Sequence, residues 1–286
     1  MIVPQFQYLV PETLEQACAM LGEHGAEARV LAGGTDLIVK MKSGLVKPSC
    51  LVSLKKLKLL KGVRQEPGLG LVIGACTTHN ELVTSTLLRA KYPAISESAA
   101  SMAGHQIRNM GTVGGNLVNA VPSADLPPIL IALQAQVRIV GTEGERRVAL
   151  EDFFVGPGLT VLTPGEILAE VIIPEQATTG SNYIKFGLRK AEALAVVGVA
   201  TAVAMDRGTI QSARIALGAV APTPLRVRAA EQVLEGQKPA LELLARAGKL
   251  AAEAAKPISD IRGSAEYRRH LVEVLTRDSL KTSIGL

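Results

Sequence analysis

Two segments of this 286-residue sequence place paired glycines beside side chains that donate hydrogen bonds. The first glycine segment is VLAGGTDLI at 30–38, and the second is IRNMGTVGGNLVNAVPSADLPP at 107–128. Because glycine has no Cβ atom, its backbone approaches a ligand closely and turns successive N–H groups into one concavity that suits phosphate oxygens. Thr35, Thr112 and Asn116 add further donors. The two segments therefore predict a clamp for the two phosphates of a dinucleotide.

Paired glycines also serve ordinary tight turns, and either segment alone would be interpreted in that way. Neither segment matches the GxGxxG pattern of Rossmann folds or the GxxxxGK[ST] pattern of P-loops. The two commonest nucleotide-binding folds are therefore excluded. Spacing alone leaves a dinucleotide as a hypothesis and does not identify a flavin.

The elements that must position these segments include both strands and helices. Residues 28–32, ARVLA, form an apolar run before the first glycine pair, which is typical of a buried strand. Helices are predicted after the N-cap residue Thr13 and around Pro127-Pro128. The sequence turns polar over 175–182, and strands then precede helices, so a second, α+β domain is expected there.

Composition restricts the possible functions. Aromatic residues make up only 3% of the chain, which argues against nucleic-acid binding through stacked bases. The three cysteines lie far apart and form neither a CxxC pair nor an iron–sulfur pattern, so we expect free thiols and no metal site. We find no signal peptide and no apolar stretch long enough to span a membrane, and therefore expect a soluble, cytoplasmic protein.

Two local patterns leave alternatives open. Residues 51–65, LVSLKKLKLLKGVRQ, suit either a helix that binds an anionic surface or a solvated helical turn with its leucines packed inward. The segment is short, which favours the solvated turn. His79, at the start of a predicted helix, either contacts a cofactor or lies on the surface, and surface histidines at helix ends are commoner.

Longer stretches of the chain resemble one known family. AGGTDL at 32–37 and RNMGTVGGNLVNAVPSADLPP at 108–128 resemble the two FAD signatures of the medium subunits of molybdenum hydroxylases, the xanthine dehydrogenase and carbon monoxide dehydrogenase family. The C-terminal half resembles the same family at 185–200, 216–236 and 262–275. The likeness covers nearly the whole chain in the expected order.

The resemblance implies an α+β fold with two domains. Residues 1–176 would form a two-lobed FAD-binding domain of the vanillyl-alcohol-oxidase/PCMH type, with lobes of about 1–55 and 56–176. Residues 177–286 would form a C-terminal α+β domain with a small sheet and helices.

The resemblance also implies which residues bind the cofactor. The first glycine segment would follow the FAD diphosphate, the second would face it, and Asp125 would bind the polar chain of the cofactor while also capping the next helix. Leu168 and Lys185 would contact the flavin, whose anionic reduced form a positive charge favours. The implied residues are Val30, Leu31, Ala32, Gly33, Gly34, Thr35, Asp36, Leu37, Gly111, Thr112, Val113, Gly114, Gly115, Asn116, Asp125, Leu168 and Lys185.

The function implied is that of an oxidoreductase subunit that carries electrons. FAD would be bound non-covalently by this chain, whereas molybdopterin and [2Fe–2S] clusters would lie on a large and a small partner subunit in a dimer of heterotrimers. FAD would receive electrons from the clusters and pass them to NAD⁺, a quinone or another acceptor. Two other functions stay open: a self-contained flavin reductase, for which we find no proton donor or substrate pocket, and a structural subunit without a cofactor.

Some positions depart from the family pattern. Leu194 occupies a position where some relatives carry an aromatic residue over the flavin ring, so the acceptor side is expected to have a different shape. Residues 121–148 contain no cysteine, which excludes the extra cluster of hydroxybenzoyl-CoA reductases. Because loop glycines are expected outside the apolar core, Gly33→Val and Gly114→Val are predicted to lose FAD while still folding.

Overall fold

The first lobe is built on a small parallel sheet. The computed structural model describes residues 3–286, and β3 lies between β1 and β2 in this sheet. The side chain of Thr13 caps the first helix by accepting a hydrogen bond from the N–H of Gln16, as its residue type predicts. The elements of this lobe are β1 (Gln7–Leu9), α1 (Leu14–His24), β2 (Ala28–Leu31), α2 (Leu37–Lys42) and β3 (Cys50–Ser53).

The lysine-rich stretch at 51–65 is not an α-helix. It contains the end of β3, a short 3₁₀ turn at Lys58–Leu60 and the strand β4 (Val63–Glu66). Leu54, Leu57 and Leu60 are buried, whereas the lysines face solvent. This burial agrees with the inward leucines of the favoured interpretation, whereas its solvated helical turn is limited to the 3₁₀ turn.

The second lobe is an antiparallel sheet covered by helices. Its five strands lie in the order β4-β5-β10-β6-β7, and every residue of the central strand β10 is buried. The apolar core packs these strands against α5, α7 and α8. The elements are β5 (Gly70–Gly74), α3 (His79–Thr84), α4 (Thr86–Lys91), α5 (Pro93–Ala100), α6 (His105–Arg108), α7 (Val113–Asn119), α8 (Leu126–Ala132), β6 (Gln136–Gly141), β7 (Gly144–Ala149), β8 (Phe154–Gly156), β9 (Leu159–Thr160) and β10 (Ile167–Ile173).

The C-terminal region is a four-stranded antiparallel sheet that is packed on both faces. One face contributes Tyr183, Ala200 and Ala216 to the core of the second lobe, and the other packs against the last two helices. The elements are β11 (Gly180–Phe186), β12 (Val197–Asp206), β13 (Thr209–Gly218), β14 (Leu225–Arg226), α9 (Arg228–Gln232), α10 (Leu241–Ala254) and α11 (Ala265–Ile284).

Candidate cofactor-binding cleft

A cleft of about 680 Å³ lies where the two lobes and the C-terminal region meet. This volume is in the range of small-molecule and cofactor sites. Fifteen of the seventeen residues implied by the resemblance line it, whereas Leu31 and Val113 do not. The side chains of Leu31 and Val113 are buried in the apolar clusters of the two lobes. Folding therefore brings the two glycine segments, Asp125, Leu168 and Lys185 together in the walls of one cleft.

The first glycine segment presents a run of free main-chain donors to this cleft. Within residues 3–286, the N–H groups of Ala32 to Asp36 donate no hydrogen bond to a protein acceptor. Gly34 has a φ of 80°, a left-handed conformation that glycine adopts without strain. Unpaired amides in succession form a concavity that favours anions.

The second glycine segment uses its amides differently. The N–H groups of Val113 and Gly114 donate to the carbonyl oxygens of Thr77, at 3.0 Å, and Ala75, at 2.8 Å. The next two amides donate to Thr112, one to its hydroxyl and one to its carbonyl. These amides hold the second segment against the end of β5 and are not available to a phosphate. Within the predicted clamp, the amides of Val113 to Asn116 therefore differ from the free amides of the first segment, because their acceptors lie within the protein.

The glycines at two of these positions are required by close packing. A Cβ atom at Gly33 would collide with the carbonyl oxygen of Met110, so the two segments approach each other only because residue 33 has no side chain. A Cβ atom at Gly114 would lie 2.8 Å from the Cβ atom of Ala75. The expectation that both valine variants still fold is therefore not supported, since each side chain would enter a packed contact between backbones.

Asp125 joins the second lobe to the C-terminal sheet. Its carboxylate accepts hydrogen bonds from the Tyr183 hydroxyl at 2.7 Å and from the Lys185 ammonium group at 2.8 Å. Lys185 also donates to the carbonyl oxygen of Ser101 at 3.0 Å. Asp125 makes no capping hydrogen bond to α8, so its predicted second role as an N-cap is wrong. The carboxylate turns away from the helix because its two oxygens are held by β11.

The same ion pair changes the expected electrostatics of Lys185. The side chains of Lys185 and Asp125 are 11% and 7% exposed, so the charges are mutually compensated in a nearly dry environment. Burial raises the pKa of Asp125, and Lys185 and Tyr183 oppose that rise. Lys185 therefore does not bring an isolated positive charge to the cleft. Sequence reasoning did not identify Tyr183 as a partner of Asp125. Tyr183 lies two residues before Lys185 on the same strand, so the two side chains face the same way, and this spacing could have identified it.

His79 is buried in the cleft wall, so the favoured prediction of a surface histidine is wrong. The main-chain N–H of His79 donates to the carbonyl oxygen of Gly111, and the imidazole ring packs against the same glycine. Burial, together with the charge of Arg108, lowers the pKa of His79 to about 4. The Nδ1 atom has no hydrogen-bond partner among the described residues. The imidazole is therefore neutral at physiological pH.

We predict that His79 makes the fold sensitive to acid. The unfolded chain protonates this histidine near its ordinary pKa of 6.5, whereas the folded chain resists protonation until about 4. The stability that this difference provides is present above pH 6.5 and is lost as the pH falls towards 4. Between pH 7 and 4.5, wild type should lose about 2.5 kcal/mol more of its free energy of unfolding than His79→Gln.

Urea unfolding at the two pH values measures this loss. His270→Gln is the matched control because His270 is exposed, and it should lose as much stability in acid as wild type does. An equal acid sensitivity of His79→Gln and wild type would contradict the prediction.

Further residues line the cleft besides the seventeen that the resemblance implied. Cys76 is buried there, and burial raises the pKa of its thiol to about 11. Leu194 also lines the cleft and remains exposed. Lys40 and Asn119 face the first segment from α2 and α7. Within residues 3–286, no group of three or more His, Cys, Asp or Glu side chains is arranged to hold a metal ion.

Comparison with known proteins identifies the family to which this chain belongs. A family model described as the FAD binding domain in molybdopterin dehydrogenase matches residues 4–176, and the CO dehydrogenase flavoprotein C-terminal domain matches residues 182–283. The chain belongs to this family of FAD-binding subunits. It is an oxidoreductase subunit, and the expected two-lobed FAD-binding fold with an α+β C-terminal region is confirmed.

The similarity extends over nearly the full length of this chain and of its relatives. The carbon monoxide dehydrogenase medium chain of Afipia carboxidovorans is 40% identical over 285 residues, 98% of this chain and 97% of that protein. The xanthine dehydrogenase FAD-binding subunit of Escherichia coli O157:H7 is 31% identical over 275 residues, 96% and 94% of the two chains. Reconstituted CO dehydrogenase from Oligotropha carboxidovorans has a chain that superposes with a TM-score of 0.95 at 39% identity, covering 100% and 99%.

The cleft offers free hydrogen-bonding groups that suit FAD. The free amides at 32–36 suit a diphosphate, and two polar atoms in the wall, His79 Nδ1 and Asn116 Oδ1, have no hydrogen-bond partner within the described part of the chain. No helix in residues 3–286 is long and apolar enough to cross a membrane.

Proposed function

We propose that this chain is the electron-transfer subunit of a molybdenum hydroxylase complex, in which non-covalent FAD receives electrons from [2Fe–2S] clusters of a partner and passes them to NAD⁺, a quinone or another acceptor. The observation that carries the proposal is the run of unpaired amides at 32–36 in a cleft of cofactor size. FAD supplies the redox chemistry, and the protein supplies binding, orientation and electrostatics.

The residues of the two segments have different roles in this proposal. The main chain of 32–36 binds the diphosphate, with Thr35 as a further donor, and Val30 and Leu37 form the adjoining wall. In the second segment, Gly111 to Asn116 bring the opposite wall close, and the side chain of Asn116 offers polar contacts. The contribution of Leu31 and Val113 is limited to their main chains, because their side chains are buried in the core.

The flavin end of the cleft is proposed to lie near Leu168 and the Asp125–Lys185 pair. Leu168 is buried on β10 and supplies an apolar surface. The ion pair of Asp125 and Lys185 adds no net charge to the cleft and holds hydrogen-bonding groups in fixed positions. Cys76 supports non-covalent binding because a thiol with a pKa of about 11 is protonated at neutral pH and is a poor nucleophile.

The assembly is proposed from the relatives. The similar proteins are named as medium chains or FAD subunits of carbon monoxide and xanthine dehydrogenases. We propose a large molybdopterin subunit and a small [2Fe–2S] subunit as partners, a dimer of heterotrimers as the assembly and the cytoplasm as the location. Residues 1–176 and 177–286 are proposed as the two domains of this chain.

The proposal is tested by purifying this chain alone and by then adding its two partner subunits. The chain alone should carry FAD that denaturation releases into solution, because no covalent link holds it. Its flavin should stay oxidised when carbon monoxide, an aldehyde or a xanthine-type heterocycle is added. Flavin reduction, measured as the loss of absorbance at about 450 nm, should appear only after the two partner subunits are supplied.

Two results would contradict the proposal in different ways. A colourless chain that binds no added FAD would reject the cofactor, and flavin that stays on the denatured chain would reject non-covalent binding. Rapid flavin reduction by a substrate in a preparation free of other chains would favour a self-contained reductase instead.

A further inference from the structure

One side chain of α7 connects Lys40 of α2 with Asp36, the residue that precedes α2. The amide nitrogen of Asn119 donates to Asp36 Oδ1 at 2.9 Å, and its amide oxygen accepts from Lys40 Nζ at 2.6 Å. All three residues line the cleft, and Asp36 is the last residue of the free amide run. The carboxamide of Asn119 is thus inserted between an acid and a base on the neighbouring lobe.

This arrangement is not the one that the helix alone would favour. Asp36 and Lys40 are four residues apart with the acid first, the order in which side chains on a helix pair best. Lys40 nevertheless forms no ion pair within residues 3–286. Its only hydrogen-bond acceptor there is the neutral amide oxygen of Asn119. The ammonium charge is therefore kept beside the first glycine segment without a carboxylate in direct contact.

We propose that Lys40 is a further cofactor-binding residue, which places its ammonium group against the diphosphate, and that Asn119 is the positioning residue that keeps Lys40 away from Asp36. This inference rests on the proposed binding of FAD. The free amides supply neutral donors, whereas Asp36 at their end would repel a phosphate. A cation held close to that carboxylate but not paired with it offsets the repulsion and attracts the anion. Charge-assisted hydrogen bonds of this kind are stronger than neutral ones.

FAD binding to the apoprotein tests the role of Lys40. Lys40→Met keeps the apolar stem and removes the charge, and it should weaken FAD binding about tenfold, which corresponds to about 1.4 kcal/mol. Lys40→Arg should bind within about twofold of wild type. Lys42→Met is the matched control because Lys42 is exposed on the same helix outside the cleft, and its affinity should not change. Isothermal titration at low and high salt provides the affinities.

The salt dependence separates an electrostatic role from a structural one. Salt should weaken FAD binding less in Lys40→Met than in wild type. The variant lacks the attraction between the ammonium group and the diphosphate, which is the interaction that salt screens. Asn119→Leu should also weaken binding, because Lys40 can then pair directly with Asp36. An affinity of Lys40→Met within twofold of wild type, or a loss with unchanged salt dependence, would overturn the inference. If wild type itself binds no FAD, the proposed function fails and the inference fails with it.

Discussion

Gly33→Val should abolish FAD binding and lower the free energy of unfolding by about 3 kcal/mol. The valine side chain would collide with the carbonyl oxygen of Met110, which belongs to the backbone of the facing segment. A backbone cannot rotate away as a flexible side chain does, so the two lobes must separate locally. The wall of the cleft and the packing behind it would change together.

Gly22→Ala is the matched control for a glycine in the same lobe. Gly22 lies near the end of α1, and its added Cβ atom would meet only a methyl group of Thr142 at 4.0 Å. Its stability should be unchanged or higher, because alanine favours a helix more than glycine does. Urea unfolding and FAD titration of both apoproteins make the comparison. A Gly33→Val protein as stable as wild type would show that the loops separate at little cost.

Lys185→Met should destabilise the protein by about 3 kcal/mol at pH 7. The substitution leaves the carboxylate of Asp125 buried, with Tyr183 as its remaining hydrogen-bond donor. An uncompensated buried charge costs more than the intact pair contributes. The double variant Asp125→Leu with Lys185→Met removes both charges and should therefore be more stable than Lys185→Met alone.

Lys190→Met tests whether the loss is specific to the pair. Lys190 is exposed close by in the chain, and its substitution should change the free energy of unfolding by less than about 0.5 kcal/mol. Denaturant unfolding of wild type and the three variants in the absence of FAD isolates the fold from the cofactor. A double variant no more stable than Lys185→Met alone would contradict the coupling that the structure indicates.

Local patterns of the sequence predicted the elements well where short-range contacts decide them. Thr13 caps α1 because its hydroxyl reaches an amide only three residues ahead. The apolar run at 28–32 forms β2 because its side chains pack into the core of the first lobe. At 51–65 the leucines point inward as expected, but the helical part is only a 3₁₀ turn, since evenly spaced leucines fit a strand, a 3₁₀ turn and a second strand as well as they fit a helix.

The sequence by itself determined the two segments that line the cleft through residue types at fixed spacings, and its resemblance to a known family determined the fold and the cofactor. Only the tertiary structure decided which glycine amides stay free, since the acceptors for the second segment lie on Ala75 and Thr77. It also decided that Asp125 pairs with Lys185 from another sheet and that His79 is buried. A hydrogen-bond partner is chosen by packing between distant parts of the chain, and neither periodicity nor capping patterns record that choice.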